Sequence, residues 1–251
     1  MLEKYFSYLK NNLRIIVVNP IYPGNVGSIA RLMKNFGITE LYAVNPCNIL
    51  DIEAKRMAMN GYDILLNATI CDEIDEAIKD LHILFATSAR TGRKRISKFT
   101  PQSAAKRIIE IIPNLKVGVI FGQEDKGLDN SIIAKSQNLI TIPTASFHSI
   151  NLSQSVAIIL YEIFAQINEE PKAQETIKPE LAKREALELM FNHIESVLFE
   201  IGFLDPENPQ RMMLALRDIF ERAQLKERDI RVIRGIFHRV HHFKTYGKPP
   251  R

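Results

Sequence analysis

Cysteine is scarce in this 251-residue chain: Cys47 and Cys71 are the only two, with no CxxC and no Cys/His cluster at metal spacing. That argues against a disulfide framework and a zinc site, and leaves two unpaired thiols as the plain reading. Long apolar runs are also missing. Stretches such as Val156 to Leu160 fall far short of the roughly 18 residues that a membrane-spanning helix needs. The first ten residues mix both charge signs and show no small-residue cleavage pattern, so no secretory signal is expected and a cytoplasmic protein is. No GxGxxG, P-loop or GxSxG motif occurs, which disfavours dinucleotide binding, a P-loop nucleotide regulator and a serine hydrolase. No metal is expected, because the neighbouring Glu124 and Asp125 lack a histidine or third acid beside them. His238, His241 and His242 share a helical face without further ligands and read as a polar surface.

What is present is ordinary globular material, 46% apolar and 25% charged, enough for one sizeable core and an accessory unit. The formal charge of +4 hides a polarised chain. Residues 1–168 carry 18 basic and 15 acidic side chains, residues 169–210 carry 4 and 10, and residues 211–251 carry 11 and 4. A basic end of that density suits a polyanion, although a solvated helix face has the same composition.

Between residues 13 and 168, short β-rich apolar runs alternate with helical patterns, which predicts an α/β domain with a mainly parallel sheet covered by helices on both faces. Strands are expected at Leu13–Val18, Glu40–Val44, Asp63–Leu66, His82–Thr87, Val117–Phe121 and Leu139–Ile142. Helices are expected at Val26–Phe36, Ile74–Leu81, Gln102–Ile112, Asn130–Ser136 and Asn151–Ala165. The last is apolar on nearly every face, as a helix buried by the sheet or by a second subunit would be. Residues 169–180 lose this periodicity and hold two prolines, the composition of a linker. A ligand-binding core at 1–168 is thereby separated from a helical, basic domain at 181–251, with helices expected over Glu180–Ile201, Gln210–Phe220 and Glu227–Val240.

Three strand-to-loop junctions carry the chemistry. The first, Asn19 to Arg31, has Gly24 and Gly27 where a backbone can approach a partner closely, Asn25 as a helix cap, and Arg31 off the apolar stripe of Val26, Ile29, Ala30 and Met33. The second, Gly122 to Asp129, brings Glu124 and Asp125 out of a buried strand. The third, Ile142 to Ser153, holds Ser149, Asn151 and Ser153 as hydrogen-bonding groups at a helix start. A fourth segment, Thr87 to Arg95, runs from hydroxyls into Arg90, Arg93, Lys94 and Arg95, a basic loop at a strand end where ligands of open α/β sheets collect.

Taken in order, Asn25-x-Gly27-x-x-x-Arg31, Phe121-Gly-Gln-Glu124 with Gly127-Leu128, and Ile142-Pro143 with Ser149-x-Asn151-x-Ser153 resemble the three motifs of the SpoU branch of the SPOUT RNA methyltransferases. The wording of residues 23–27, 33–37 and 87–90 is most like the TrmJ group. The resemblance implies a C-terminal deep trefoil knot and S-adenosylmethionine as cofactor, with contacts from Thr87, Ser88, Ala89, Gly122, Ile142, Ser149, Ile150 and Asn151. It implies Arg31 as the catalytic arginine, supported by Asn25, Glu124 and Asn151, and a homodimer with a shared site. Its substrate would be tRNA, methylated on the ribose 2′-hydroxyl of nucleotide 32, cytidine or uridine. RNA contacts are expected from Arg31, from Arg90, Arg93, Lys94 and Arg95, and from Arg228, Arg231, Arg234, Arg239 and Lys244. Ribosomal RNA as the substrate, or a silent RNA-binding module, are the competing expectations.

Overall fold

Four of the six residues of Leu13–Val18 are β-branched, and this strand, β1, is buried at every position in the computed structural model of the protein. The structure describes residues 2–89, 97–168 and 181–247. Contacts divide the chain into two compact units, Met1–Lys178 and Pro179–Arg251; the linker expected at 169–180 lies outside the described residues.

In the first unit, α1 (Leu2–Asn12) precedes β1, and α2 (Pro23–Asn35), β2 (Glu40–Val44) and α3 (Ile52–Ala58) follow it. A tight 3-10 turn, Met59–Gly61, leads into α4 (Tyr62–Leu66), β3 (Thr69–Cys71), α5 (Ile74–Ile78) and β4 (Ile83–Thr87). The unit is completed by β5 (Ser97–Phe99), α6 (Pro101–Ile111), β6 (Val117–Phe121), α7 (Asn130–Ala134), β7 (Asn138–Ile140) and α8 (Leu152–Asn168). Among the described residues the strands form one all-parallel sheet in the order β3-β2-β1-β6-β4-β7-β5. Sequential strands β6 and β7 are separated by β4, so the chain steps across the sheet between them.

The strand expected at Asp63–Leu66 is a helix instead, and the strand lies at Thr69–Cys71. Asn67 decides this locally. Its backbone N–H and its side-chain amide both donate to the Asp63 carbonyl, at 3.1 and 2.7 Å, which closes a helical turn. The expectation also passed over α1, α3 and β5, which are short or lack a buried run. On one face of the sheet, Ile16, Val18, Val44, Leu84 and Ile120 pack with Ile74, Ala77 and Ile78 of α5. Alternate strand residues such as Ile15 and Val17 point the opposite way. Helix α8 packs on α2 and α6 and buries Leu152, Val156, Ile159, Leu160, Ile163 and Ile167.

At the N-terminal ends of the strands, Arg14 is 2% exposed and fully engaged. It donates to Asp80 (2.6 and 3.1 Å), Glu40 (3.1 Å) and the Ala77 carbonyl (2.8 Å), and its guanidinium lies 3.8 Å from the Tyr42 ring centre. Lys116 reaches the second Asp80 oxygen at 2.9 Å. Burial works against the Asp80 charge, but the hydrogen bonds from Arg14 and Lys116 win and hold its carboxyl well below the usual carboxylate range.

The second unit consists of α9 (Arg184–Glu200), α10 (Pro209–Arg222) and α11 (Glu227–Tyr246) around Leu187, Met190, Phe191, Ile194, Met213 and Ile230. Arg184 is fully buried and binds Glu188 at 3.0 Å and Glu221, while Arg217 binds Glu188 at 2.7 Å and covers the Phe191 ring. No helix among the described residues is long and apolar enough to cross a membrane.

Candidate active site

The C-terminal ends of β1, β4, β6 and β7 turn sharply into loops, and the side chains of three of these loops meet. Asparagines open the loops after β1 and its neighbour β2. Asn19 after β1 and Asn45 after β2 have φ of 52° and 44°, a left-handed conformation that asparagine accepts better than most residues. The Asn45 amide donates to the Asn19 side-chain oxygen at 3.1 Å. After β6, Gly127 (φ 71°) donates its N–H to the Gln123 carbonyl at 2.9 Å, folding the loop back on Gly122. A Cβ on Gly122 would lie 2.2 Å from the Gly127 carbonyl carbon, so only glycine fits.

This folded loop holds Glu124 against the first one. Its Oε2 accepts from the Ile21 N–H at 3.0 Å, and its Oε1 accepts from the Tyr22 N–H at 3.4 Å and the Asn25 amide at 2.8 Å. A carboxylate only accepts, so Asn25 must present Nδ2 to Glu124 and turn its Oδ1 away. That oxygen accepts from Asn151 Nδ2 at 3.1 Å. Asn151 then has its own oxygen free to accept from Ser153 N–H (2.9 Å), Ser153 Oγ (2.8 Å) and Gln154 N–H (3.4 Å), which caps the start of α8. One acceptor-only group thus fixes the amide orientation of two asparagines and seats a helix end.

The network joins Asn25, Glu124 and Asn151, one residue from each sequence motif, and does not include Arg31. Six residues beyond Asn25 on α2, Arg31 is displaced by about 9 Å along the axis and roughly 240° around it. It is exposed and, among the described residues, its side chain makes no hydrogen bond or ion pair. It lines a separate cavity of about 170 Å³ with Lys34, Asn35, Met59, Asn60 and Gly61.

Thr87 and Ser88 close β4 onto its neighbours: the Thr87 hydroxyl donates to the Ile120 carbonyl at 3.0 Å and the Ser88 N–H to the Ile140 carbonyl at 3.0 Å. Ala89 follows them as an exposed residue. Ile142, Ser149 and Ile150 belong to the irregular segment 141–151, where no backbone-to-backbone hydrogen bond among the described residues involves residues 142–150. The Thr141 hydroxyl at its root is buried and, among the described residues, has no hydrogen-bond partner. Arg90, Arg93, Lys94 and Arg95 lie outside the described residues. Arg228, Arg231, Arg234, Arg239 and Lys244 are all exposed on α11. Among the described residues no cluster of three or more His, Cys, Asp or Glu is arranged to hold a metal ion.

Sequence reasoning missed the Ile21 and Tyr22 amides, which carry no side-chain signal, and the 59–61 turn, which the Asn60-Gly61 pair announces.

Residues 12–161 match the SpoU rRNA Methylase family and residues 185–249 match the C-terminal domain of the tRNA methyltransferase TrmJ. The tRNA (cytidine/uridine-2′-O-)-methyltransferase TrmJ of Photorhabdus laumondii is 33% identical over 232 residues, 91% of this chain and 96% of that one. The tRNA (cytidine-2′-O-)-methyltransferase TrmJ of Methanocaldococcus jannaschii is 46% identical over 158 residues, 61% of this chain and 68% of its own. The crystal structure of TrmJ from Z. mobilis ZM4 superposes with a TM-score of 0.80 at 29% identity, covering 91% of this chain and 98% of that one.

Proposed function

Because the chain belongs to the SpoU methylase family and carries the TrmJ type of C-terminal domain, we propose that it is a tRNA ribose 2′-O-methyltransferase that uses S-adenosylmethionine and acts on cytidine or uridine 32 of the anticodon loop. The observation that carries this reading is the Glu124–Asn25–Asn151 network, which draws three loops together at the C-terminal edge of a parallel sheet, where such folds take their ligands. The proposal includes a knotted catalytic domain at 1–168, a basic RNA-recruiting domain at 181–251, and a cytoplasmic homodimer.

The residues present fit the cofactor. Among the described residues the buried Thr141 hydroxyl has no hydrogen-bond partner and residues 142–150 make no backbone-to-backbone hydrogen bond, which leaves donors and acceptors for a ligand recognised through main-chain groups. Thr87, Ser88, Ala89, Gly122, Ile142, Ser149, Ile150 and Asn151 would hold it. When bound, S-adenosylmethionine supplies an electrophilic methyl group on a sulfonium. The protein's task is to align a ribose oxygen with that carbon and accommodate the proton that the hydroxyl loses. Arg31 is a poor base, since a guanidinium keeps its proton in proteins. It serves by gripping the phosphate beside the target ribose in a fixed fork and polarising the hydroxyl, with the proton passing to that phosphate or to water. A site shared between two copies accounts for Arg31 lying off the Glu124 network of its own chain. Asn25 and Glu124 hold the loop that Asn151 and α8 complete.

The test is incubation with S-adenosylmethionine and an unmodified tRNA transcript, followed by nuclease digestion and mass spectrometry. A 2′-O-methyl group at nucleotide 32 is expected, with turnover reduced about 10²–10³-fold in Arg31→Ala, the usual loss on removing a preorganised charge-stabilising donor. Cofactor binding without tRNA methylation would move the substrate to ribosomal RNA. Absent cofactor binding would leave an RNA-binding module.

A further inference from the structure

The cavity beside Arg31 is built by a strained turn. Met59 has φ 49° and ψ −124°, a conformation that costs a side-chain-bearing residue free energy, yet it is 60% exposed and contributes nothing to the core. Two residues later, a Cβ on Gly61 would lie 2.6 Å from the Ala30 carbonyl oxygen and 2.9 Å from the Arg31 Cα. The turn is therefore pressed directly onto the stretch of α2 that carries Arg31. The result is a pocket with two cations, Arg31 and Lys34, and two amides, Asn35 and Asn60. Lys34 is already engaged there by Asp63 at 2.6 Å, a pair about half exposed on both sides.

We propose that this cavity is a second phosphate subsite for the RNA backbone, in which Lys34 and Asn60 hold the phosphate next to the one gripped by Arg31, while Asp63 occupies Lys34 until RNA displaces it. The proposal rests on the functional reading above. Two cations flanked by amide donors suit a phosphodiester, which needs a charge and several N–H groups. A neutral ligand would not need the cations. Strain at an exposed turn follows when its position, and not its packing, is what the protein requires. The Lys34–Asp63 pair is half solvated, so exchanging its carboxylate for a phosphate costs little.

Two substitutions of the same pair separate this role from a structural one. Lys34→Gln is expected to raise the KM for tRNA about 5- to 10-fold, with the change falling on KM, and to reduce the slope of log K against log salt by about one. Asp63→Asn breaks the same ion pair but removes a charge that competes with phosphate, and is expected to lower KM two- to threefold. Lys34→Arg restores the wild-type slope. If both substitutions weaken binding alike, or if Lys34→Gln leaves KM and slope unchanged, the subsite is refuted. Binding of the tRNA transcript is read by fluorescence anisotropy without cofactor. A wild-type protein that binds tRNA but transfers no methyl group would therefore sink the functional reading while leaving the subsite test intact.

Discussion

The two ends of one sheet carry polar networks of opposite character. At the N-terminal ends of the strands, Asp80 is matched by two cations and Arg14 is buried among two carboxylates, a carbonyl and a ring. At the C-terminal ends, Glu124 is held at comparable distances by neutral donors alone among the described residues. Charge matched by charge in a buried place locks elements together and leaves no valence for a ligand. A carboxylate satisfied by amides keeps its net charge and orders loops that remain open to solvent. The first network is about folding, and the second is about holding a site.

The comparison breaks first at Arg14. Removing one partner of a buried ion pair strands the other charge, so Arg14→Met is expected to lower stability by about 3 kcal/mol. Methylation per folded molecule should stay the same, as the residue lies at the far end of β1 from the site. The pH dependence sharpens this. The Asp80 carboxyl is held below its ordinary value, so the stabilisation it provides is fully present above the unfolded value of about 4 and is lost as pH falls further. Denaturant titrations between pH 7 and pH 3 should show an acid limb in the wild type that is flatter in Arg14→Met. An unchanged limb would assign the acid sensitivity to other carboxylates.

Glu124→Gln tests the other end with a smaller effect. Gln keeps the shape but brings an NH₂ group against donors that need an acceptor, so either Ile21 N–H or the Asn25 amide loses its partner. Turnover is expected to fall about tenfold, about 1.4 kcal/mol at the barrier, with a stability loss near 1 kcal/mol. A large stability loss with kinetics unchanged per folded molecule would place Glu124 in the same class as Asp80 and erase the distinction.

Much of the fold was legible because β1 and β6 are fully buried strands in which β-branched residues predominate, four of six and three of five, and no helix signal competes with them. The family was legible because Asn25, Glu124 and Asn151 sit in three spaced motifs. The wiring between them was not: Asn151 donates to a residue 126 positions away, and which amide atom faces which follows only once Glu124 is beside Asn25. The 62–66 segment misled because an apolar Ile-Leu-Leu run fits a strand or a short helix equally, and two bonds from Asn67 decide it. Arg31 was grouped with the motif residues by spacing, whereas helical geometry turns it toward the 59–61 turn. Short elements such as β5 carry too few residues to show a period.

The smallest expected effect distinguishes the two cations that Asp80 holds. Lys116 is 39% exposed where Arg14 is 2% exposed, so water already solvates its ammonium and the gain from pairing is screened. Lys116→Met removes one charge but leaves Arg14 bidentate on Asp80, so the carboxylate is never stranded. A loss below about 1 kcal/mol is expected, the range of solvent-exposed pairs. Thermal unfolding of Lys116→Met, Arg14→Met and the double variant measures the coupling. If the Arg14→Met loss grows markedly when Lys116 is also absent, Lys116 takes over part of Arg14's role and the site is one shared cluster. If the losses add, Arg14 alone anchors Asp80, and what makes that end structural is the burial of its single guanidinium.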